Sequence, residues 1–264
     1  MARFEHGGIG LAFDDNRPAD GEAGVILLVH GFAASRDETW RRLGWYAALE
    51  RKTWRAIAPD LRGHGESDKP HEAIAYARED LAGDLAALLD HLEVGRVDIL
   101  GYSMGAHLAL GLALRHPERV DRLILGGVGG RVIDGGGPMA QSKMTMAEAM
   151  RIADPEAIPD KTLKGFRRFA DQEGADRLAL AACSEGAGRA MMAEDFASIR
   201  APSLIIAGAL DDIAGDPQRL ADAFPDARSV TLPGCDHFTA TPHALFKAAV
   251  FDFLEGWMDL PEFE

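Results

Sequence analysis

The chain has 264 residues, which is room for one large or two small domains at the usual rate of roughly 150 residues per domain. Apolar residues make up 47% and charged residues 27%, a balance that excludes a disordered, collagen-like or membrane-spanning chain. Twenty-eight Lys and Arg against 42 Asp and Glu leave a net charge of −14, a field that repels phosphate backbones and anionic membranes, so neither nucleic acid nor a membrane is an expected partner.

The first clear element is the apolar run at residues 25–29 (VILLV), which suits a strand buried on both faces and ends at His30-Gly31-Phe32. Ser35, Arg36, Asp37 and Glu38 then have the spacing of a capping box, and Trp40, Leu43, Ala47 and Leu49 keep one face of the helix that follows. The alternation continues with a strand at 55–59, a helix at about 76–92, a strand at 97–100, a helix at 104–116 and a strand at 123–125. Strands at 204–207 and 228–232 come later, and Thr241 before Pro242 caps a last helix running to about Trp257. Buried strands alternating with helices predict an α/β fold: a mostly parallel central sheet with helices on both faces.

Between Arg131 and Arg200 the pattern changes to short helical pieces rich in Met, broken by Gly135-Gly136-Gly137, Pro155 and Pro159, with no strand-like run. The expected organisation is a single domain whose core comprises residues 1–130 and 201–264 and whose helical cap insertion comprises 131–200. No repeat or long low-complexity tract interrupts it. Only Cys183 and Cys235 occur, so a disulfide framework is not expected and a reducing compartment is. With no basic segment leading into an apolar one near Met1, and no apolar run near the roughly 20 residues of a membrane helix, the expected location is the cytoplasm.

Gly101-Tyr102-Ser103-Met104-Gly105 fits the pattern G-x-S-x-G, directly after a predicted strand and directly before a predicted helix. In that setting the chain turns sharply, the glycines relieve crowding and the serine hydroxyl stands clear of the backbone. Such a hydroxyl attacks only when a base takes its proton, most often a histidine oriented by a carboxylate. Asp211 and Asp212 follow the strand at 204–207, at the end of the sheet where α/β proteins gather functional groups, and Asp216 lies nearby. His237 follows the strand at 228–232 in Pro233-Gly234-Cys235-Asp236-His237, with Asp236 reading as a loop carboxylate. His30 and His64 read as hydrogen-bonded structural side chains, and His107, four residues past Ser103, as a packing residue. No metal-ligand spacing, no G-x-G-x-x-G after a strand and no Walker-type loop occurs, so a cofactor-free reaction is expected.

These motifs resemble the α/β-hydrolase fold family in order and over nearly the whole chain. His30-Gly31-Phe32 is similar to the family's oxyanion loop, and Pro59-Asp60-Leu61-Arg62-Gly63-His64-Gly65-Glu66-Ser67 to its next strand-to-helix loop; the serine elbow and histidine loop follow. The resemblance implies Ser103 as nucleophile, Asp211 as acid with Asp212 as its alternative, His237 as base, and the backbone N–H groups of Phe32 and Met104 as oxyanion donors. Some relatives place the acid after the preceding strand, but residues 126–130 contain no carboxylate.

The function that follows is a serine hydrolase of a carboxylic ester, thioester or lactone, with a small ester-type molecule as partner. Serine at the elbow argues against the haloalkane dehalogenase and epoxide hydrolase branches, which use aspartate there. A carbon–carbon bond hydrolase of β-diketone-type compounds is the first alternative, although those relatives typically carry Asn before the serine and Trp after the histidine, where this chain has Tyr102 and Phe238. A cofactor-free perhydrolase or haloperoxidase-like enzyme is a second, because Ser103-Met104-Gly105 is similar to theirs, and a non-catalytic small-molecule receptor is a third. Met139, Met144, Met146, Met150, Met191 and Met192 either fill the core of the cap, the favoured expectation, or line an adaptable acyl pocket. Met146, Met150 and Phe238 are the candidates for substrate contact.

Overall fold

The computed structural model describes residues 2–134, 142–186, 188 and 191–256. It begins with a hairpin, β1 (Ala2–His6) and β2 (Ile9–Asn16), turned at Gly7 and Gly8 with φ of 58° and 77°. A two-residue turn with both residues left-handed suits glycine at both positions. The predicted elements begin at residue 25 and do not include this hairpin, whose strands mix charged and apolar residues and bury only Phe4, Leu11, Ala12 and Phe13. The available signal was the Gly-Gly pair between Phe4 on one side and Leu11 and Phe13 on the other.

Six further strands follow: β3 (Gly24–Val29), β4 (Trp54–Pro59), β5 (Val97–Tyr102), β6 (Val120–Gly126), β7 (Ser203–Gly208) and β8 (Ala227–Leu232). They form one sheet in the order β1-β2-β4-β3-β5-β6-β7-β8. β2 runs antiparallel to β1 and β4, and every other neighbouring pair is parallel. The helices are α1 (Trp45–Glu50), α2 (Arg78–His91), α3 (Met104–Arg115), α4 (Met146–Arg151), α5 (Lys161–Gln172), α6 (Arg177–Glu185), α7 (Ala193–Phe196), α8 (Pro217–Ala221) and α9 (Ala244–Leu254).

The apolar strands have a physical reason in two cores. Leu27, Val29, Ile57, Ile99 and Leu123 face one side, against Leu81 and Leu85 of α2, Leu108 and Leu112 of α3 and Leu220 of α8. Ile26, Leu28, Ala56, Leu100 and Ile124 face the other, against Trp45 of α1 and Phe246 and Val250 of α9. Alternate residues of a strand point to opposite faces, and both faces are covered, so no polar alternation survives.

Two expected helices differ in detail. The Glu38 N–H does bond the Ser35 hydroxyl at 3.1 Å, but residues Asp37–Arg41 form one turn of wide π-helix, closed by Arg42 N–H to the Asp37 carbonyl at 2.8 Å. Gly44, at φ 72°, then separates this turn from α1. At the other end α9 starts at Ala244, with the His243 ring accepting from the Leu245 N–H at 3.2 Å, because Thr241 turns inward to line a cavity beside Tyr102. Trp257 lies outside the described residues. α4 to α7 all lie between β6 and β7, and no helix among the described residues is long and apolar enough to cross a membrane.

Candidate active site

β5 ends at Tyr102 and α3 begins at Met104, which leaves Ser103 as the single residue of the turn, at φ 53° and ψ −114°. For a residue with a side chain this conformation costs on the order of 1–3 kcal/mol and persists only where the surroundings impose it. They do so here. The Ser103 N–H bonds the Gly126 carbonyl at 2.8 Å, a Cβ on Gly101 would sit 2.4 Å from the Gly105 oxygen, and one on Gly105 would sit 2.1 Å from the Val29 oxygen. Only hydrogen at both flanking positions lets the helix start this close to β3 and β5.

Around this turn three side chains from three loops meet. His237 Nε2 lies 2.8 Å from Ser103 Oγ, and His237 Nδ1 lies 2.8 Å from Asp211 Oδ2. An ionised carboxylate only accepts, so Nδ1 carries the hydrogen and Nε2 is left to accept from the serine hydroxyl. Asp211 is oriented in turn by N–H bonds to its Oδ1 from Ile213 at 3.1 Å and Ala214 at 2.9 Å. The neighbouring acids are otherwise engaged: Asp212 is exposed, Asp216 accepts from Gln218 N–H at the start of α8, and Asp236 accepts from the amides of Phe238 and Thr239 in its own loop. Tyr102, which sequence reading used only as a family marker, donates its hydroxyl to the His237 carbonyl at 2.6 Å and so holds the histidine loop against β5. No pattern in the sequence pairs those two residues, 135 positions apart.

Gly31 approaches the same turn, where a Cβ would lie 3.3 Å from the Tyr102 oxygen. The Phe32 N–H has no hydrogen-bond partner among the described residues, and the Met104 N–H, first in α3, has no acceptor within its own helix. His30 supports this loop from below: its Nδ1–H donates to the Gly31 carbonyl at 2.8 Å and its Nε2 accepts from Leu61 N–H at 3.0 Å. Burial pushes its imidazole down to about 4. The His64 Nδ1–H donates to the Arg62 carbonyl at 2.9 Å, and burial, with His30 beside it, pushes it down to about 3. Asp60 ties the two loops together by accepting from Arg36 N–H at 2.8 Å and Glu66 N–H at 2.7 Å and by pairing with the Arg36 guanidinium. Gly65 is required here, because a Cβ would meet the Asp60 carboxyl at 2.1 Å.

Ser103 opens on two cavities. One, of about 190 Å³, is walled by Phe32, Leu43, Phe166, Phe169 and Phe238, with Glu38 and Thr39 among its lining. The other, of about 280 Å³, lies toward Met104, Met146, Cys183 and Ser184, with Arg78 and His107 in its wall. Phe32 and Phe166 border both, their rings edge to face at 6.0 Å. His107 bonds the Ser103 carbonyl through Nδ1 at 3.0 Å, and burial lowers its pKa.

The candidate contact residues divide. Phe238 is 42% exposed and packs on Phe166, and Met146 lines the second cavity. Met150 does not line either cavity. It is fully buried in a helical cluster with Ala33, Phe166, Ala170 and Leu180, because it falls on the inner face of α4. Met144 packs with Ala149, Ile158 and Leu163, Met191 packs on the main core, Met192 is exposed, and Met139 lies outside the described residues. No sequence motif connects Glu38, Thr39, Phe166 and Phe169 with the site, although all four line the first cavity. They come from a helical turn and from α5, which reach Ser103 only through the fold.

The profile of the alpha/beta hydrolase fold family matches residues 24–155. The 2-hydroxymuconate semialdehyde hydrolase of Pseudomonas sp. is 31% identical over 87% of this chain and 86% of its own length. Among solved structures, the enol-lactonase of Burkholderia xenovorans superposes with a TM-score of 0.77 at 26% identity, covering 96% of this chain and all of that one. A thermophilic esterase from Thermogutta terrifontis does so at 0.74 and 27% identity, covering 98% of each chain. Higher identity, 41%, is confined to 110 residues shared with uncharacterized mycobacterial proteins, of whose length the chain spans 30%. The chain belongs to the α/β-hydrolase fold family.

Proposed function

We propose that the protein is a serine hydrolase that cleaves a carboxylic ester, thioester or lactone through an acyl-enzyme. The observation that carries this reading is the unbroken hydrogen-bond series from Asp211 through His237 to Ser103, with both links at 2.8 Å, at a serine held in a left-handed turn. His237 takes the Ser103 proton as Oγ attacks the carbonyl carbon, and Asp211 stabilises the imidazolium that forms. The amides of Phe32 and Met104 receive the developing oxyanion, a contribution of about 3–4 kcal/mol per donor in comparable sites. His237 then returns the proton to the leaving alcohol, and water activated by the same ring releases the acid. Within the expected cap region, residues 131–200, it is α4, α5 and α6 that act as a cap over this centre, with Phe166 and Met146 facing the substrate. The two free, buried cysteines support a reducing compartment, in our reading the cytoplasm.

The experiment is labelling with a fluorophosphonate, located by peptide mapping, followed by turnover of a panel of acyl esters, thioesters and lactones. Label on Ser103 with ester turnover is the expected result, and EDTA leaves the rate unchanged. No label and no turnover would exclude the reading. Carbon–carbon hydrolysis is the second reading, favoured by the similarity to the 2-hydroxymuconate semialdehyde hydrolase along most of both chains. Turnover of 2-hydroxymuconate semialdehyde at a higher kcat/KM than any ester would put it first.

A further inference from the structure

We propose that Glu38 and Thr39 form a selectivity element in the aromatic cavity beside Ser103, one that excludes substrates bringing a carboxylate to that end and favours neutral ends bearing a hydroxyl donor. This rests on the serine-hydrolase reading and names its substrate class: neutral, hydroxylated esters or lactones.

The observations are geometric. Glu38 is the only charged side chain lining the aromatic cavity among the described residues, and the remaining lining is dominated by Phe32, Leu43, Phe166, Phe169 and Phe238. The Thr39 hydroxyl donates to Glu38 Oε2 at 2.9 Å, so its hydrogen is committed and what faces a ligand is acceptor oxygen. Among the described residues no cation is hydrogen-bonded to this carboxyl. The Arg42 guanidinium, whose charge reaches Glu38, pairs with Asp37 at 2.8 Å and Glu173 at 3.0 Å instead. Both residues reach the cavity because the chain takes a turn of π-helix at Asp37–Arg41, a form found mostly as single turns and frequently at functional sites. A carboxylate entering such an apolar, acceptor-lined end meets a like charge with little water to screen it, whereas a hydroxyl donor meets a hydrogen-bond partner.

Two substrate series, assayed at pH 8.5, test this. One varies the alcohol end (pentyl, 4-hydroxybutyl and 3-carboxypropyl acetate); the other varies the acyl end (methyl hexanoate, methyl 6-hydroxyhexanoate and monomethyl adipate). In at least one series wild-type kcat/KM is expected to fall from hydroxyl to carboxylate by about 30-fold or more, and Glu38→Gln to compress that ratio to about 5-fold or less. Glu50→Gln, on an exposed acid of α1 that does not line the cavity, leaves the ratio within about two-fold, which separates a local contact from the general acidic field. Saturation-transfer NMR on Ser103→Ala protein, which needs no turnover, is expected to show binding of methyl 6-hydroxyhexanoate or 4-hydroxybutyl acetate in preference to its carboxylate counterpart. A ratio unchanged by Glu38→Gln, equal wild-type rates within both series, or equal binding in the Ser103→Ala protein would each overturn the proposal. Failure of Ser103 to label with fluorophosphonate would instead count against the serine-hydrolase reading, and the binding comparison would still judge the selectivity.

Discussion

The two cavities that share Ser103 are built from different materials. The one toward Glu38 is enclosed by aromatic rings, Phe166 and Phe238 edge to face at 5.2 Å, which are stiff and set a fixed width. The one toward Met146 is larger and lined by Cys183 and by Met104 and Met146, whose unbranched side chains have many low-energy arrangements. Under the proposed function the contrast divides selectivity: the rigid wall with one fixed carboxyl is expected to discriminate by charge and hydrogen bonding, and the flexible wall to tolerate differences in length.

Four experiments break or sharpen that contrast. Ser103→Ala removes what the two cavities have in common, and kcat for every ester is expected to fall on the order of 10³–10⁶-fold with the fold retained by circular dichroism. A selective loss, confined to substrates that fill only one cavity, would show that the cavities do not serve one nucleophile. Asp211→Asn is next, with a loss on the order of 10²–10⁴-fold for all substrates, because the amide no longer holds His237 in the tautomer that accepts from Ser103. Asp212→Asn, on an exposed side chain, changes kcat less than about two-fold. Equal losses in the two variants would move the acid.

Met146→Ala acts on one cavity alone. It is expected to change the ratio of long-chain to acetyl-ester kcat/KM by about 5–10-fold, since a remote contact matters only for substrates that reach it. Met150→Ala leaves that ratio intact and costs about 2–5 kcal/mol of stability instead, read from chemical denaturation, because it empties a fully buried site. The smallest effect concerns the partition between the cavities. Phe32 packs edge to face on His64 at 5.9 Å, and His64 and His30 are both neutral when folded. An unfolded histidine takes up its proton near pH 6.5, whereas these do so only at about 3 and about 4 when folded. Between those values the unfolded chain binds more protons, so stability declines as pH falls from 6.5, through about 4 for His30 and on to about 3 for His64. The slope is at most about 1.4 kcal/mol per pH unit for each ring, and His64→Leu is expected to remove one share of it in denaturation curves at pH 7 and pH 4.5.

The serine elbow and the strand before it were legible because their causes are local. Residues 25–29 and 97–100 must be apolar where both faces of a sheet are covered, and glycines at 101 and 105 leave no other way to start α3 so close to β3. The hairpin at Ala2–Asn16 was missed because half-exposed strands carry a weaker pattern, and Asp211 was preferred to Asp212 only through the family resemblance, because adjacent residues have the same chemistry. The sequence by itself therefore determined the order of β3 to β8, the Ser103 turn and the histidine loop, which follow from steric and hydrophobic rules acting within a few residues. Tertiary structure alone decided that Asp211 faces His237 while Asp212 faces solvent, that Met150 is core while Met146 lines a cavity, and that Glu38 and Thr39 stand beside Ser103. Each of these depends on the direction in which a side chain leaves its element and on what a distant segment packs against it, and neither is encoded in local spacing.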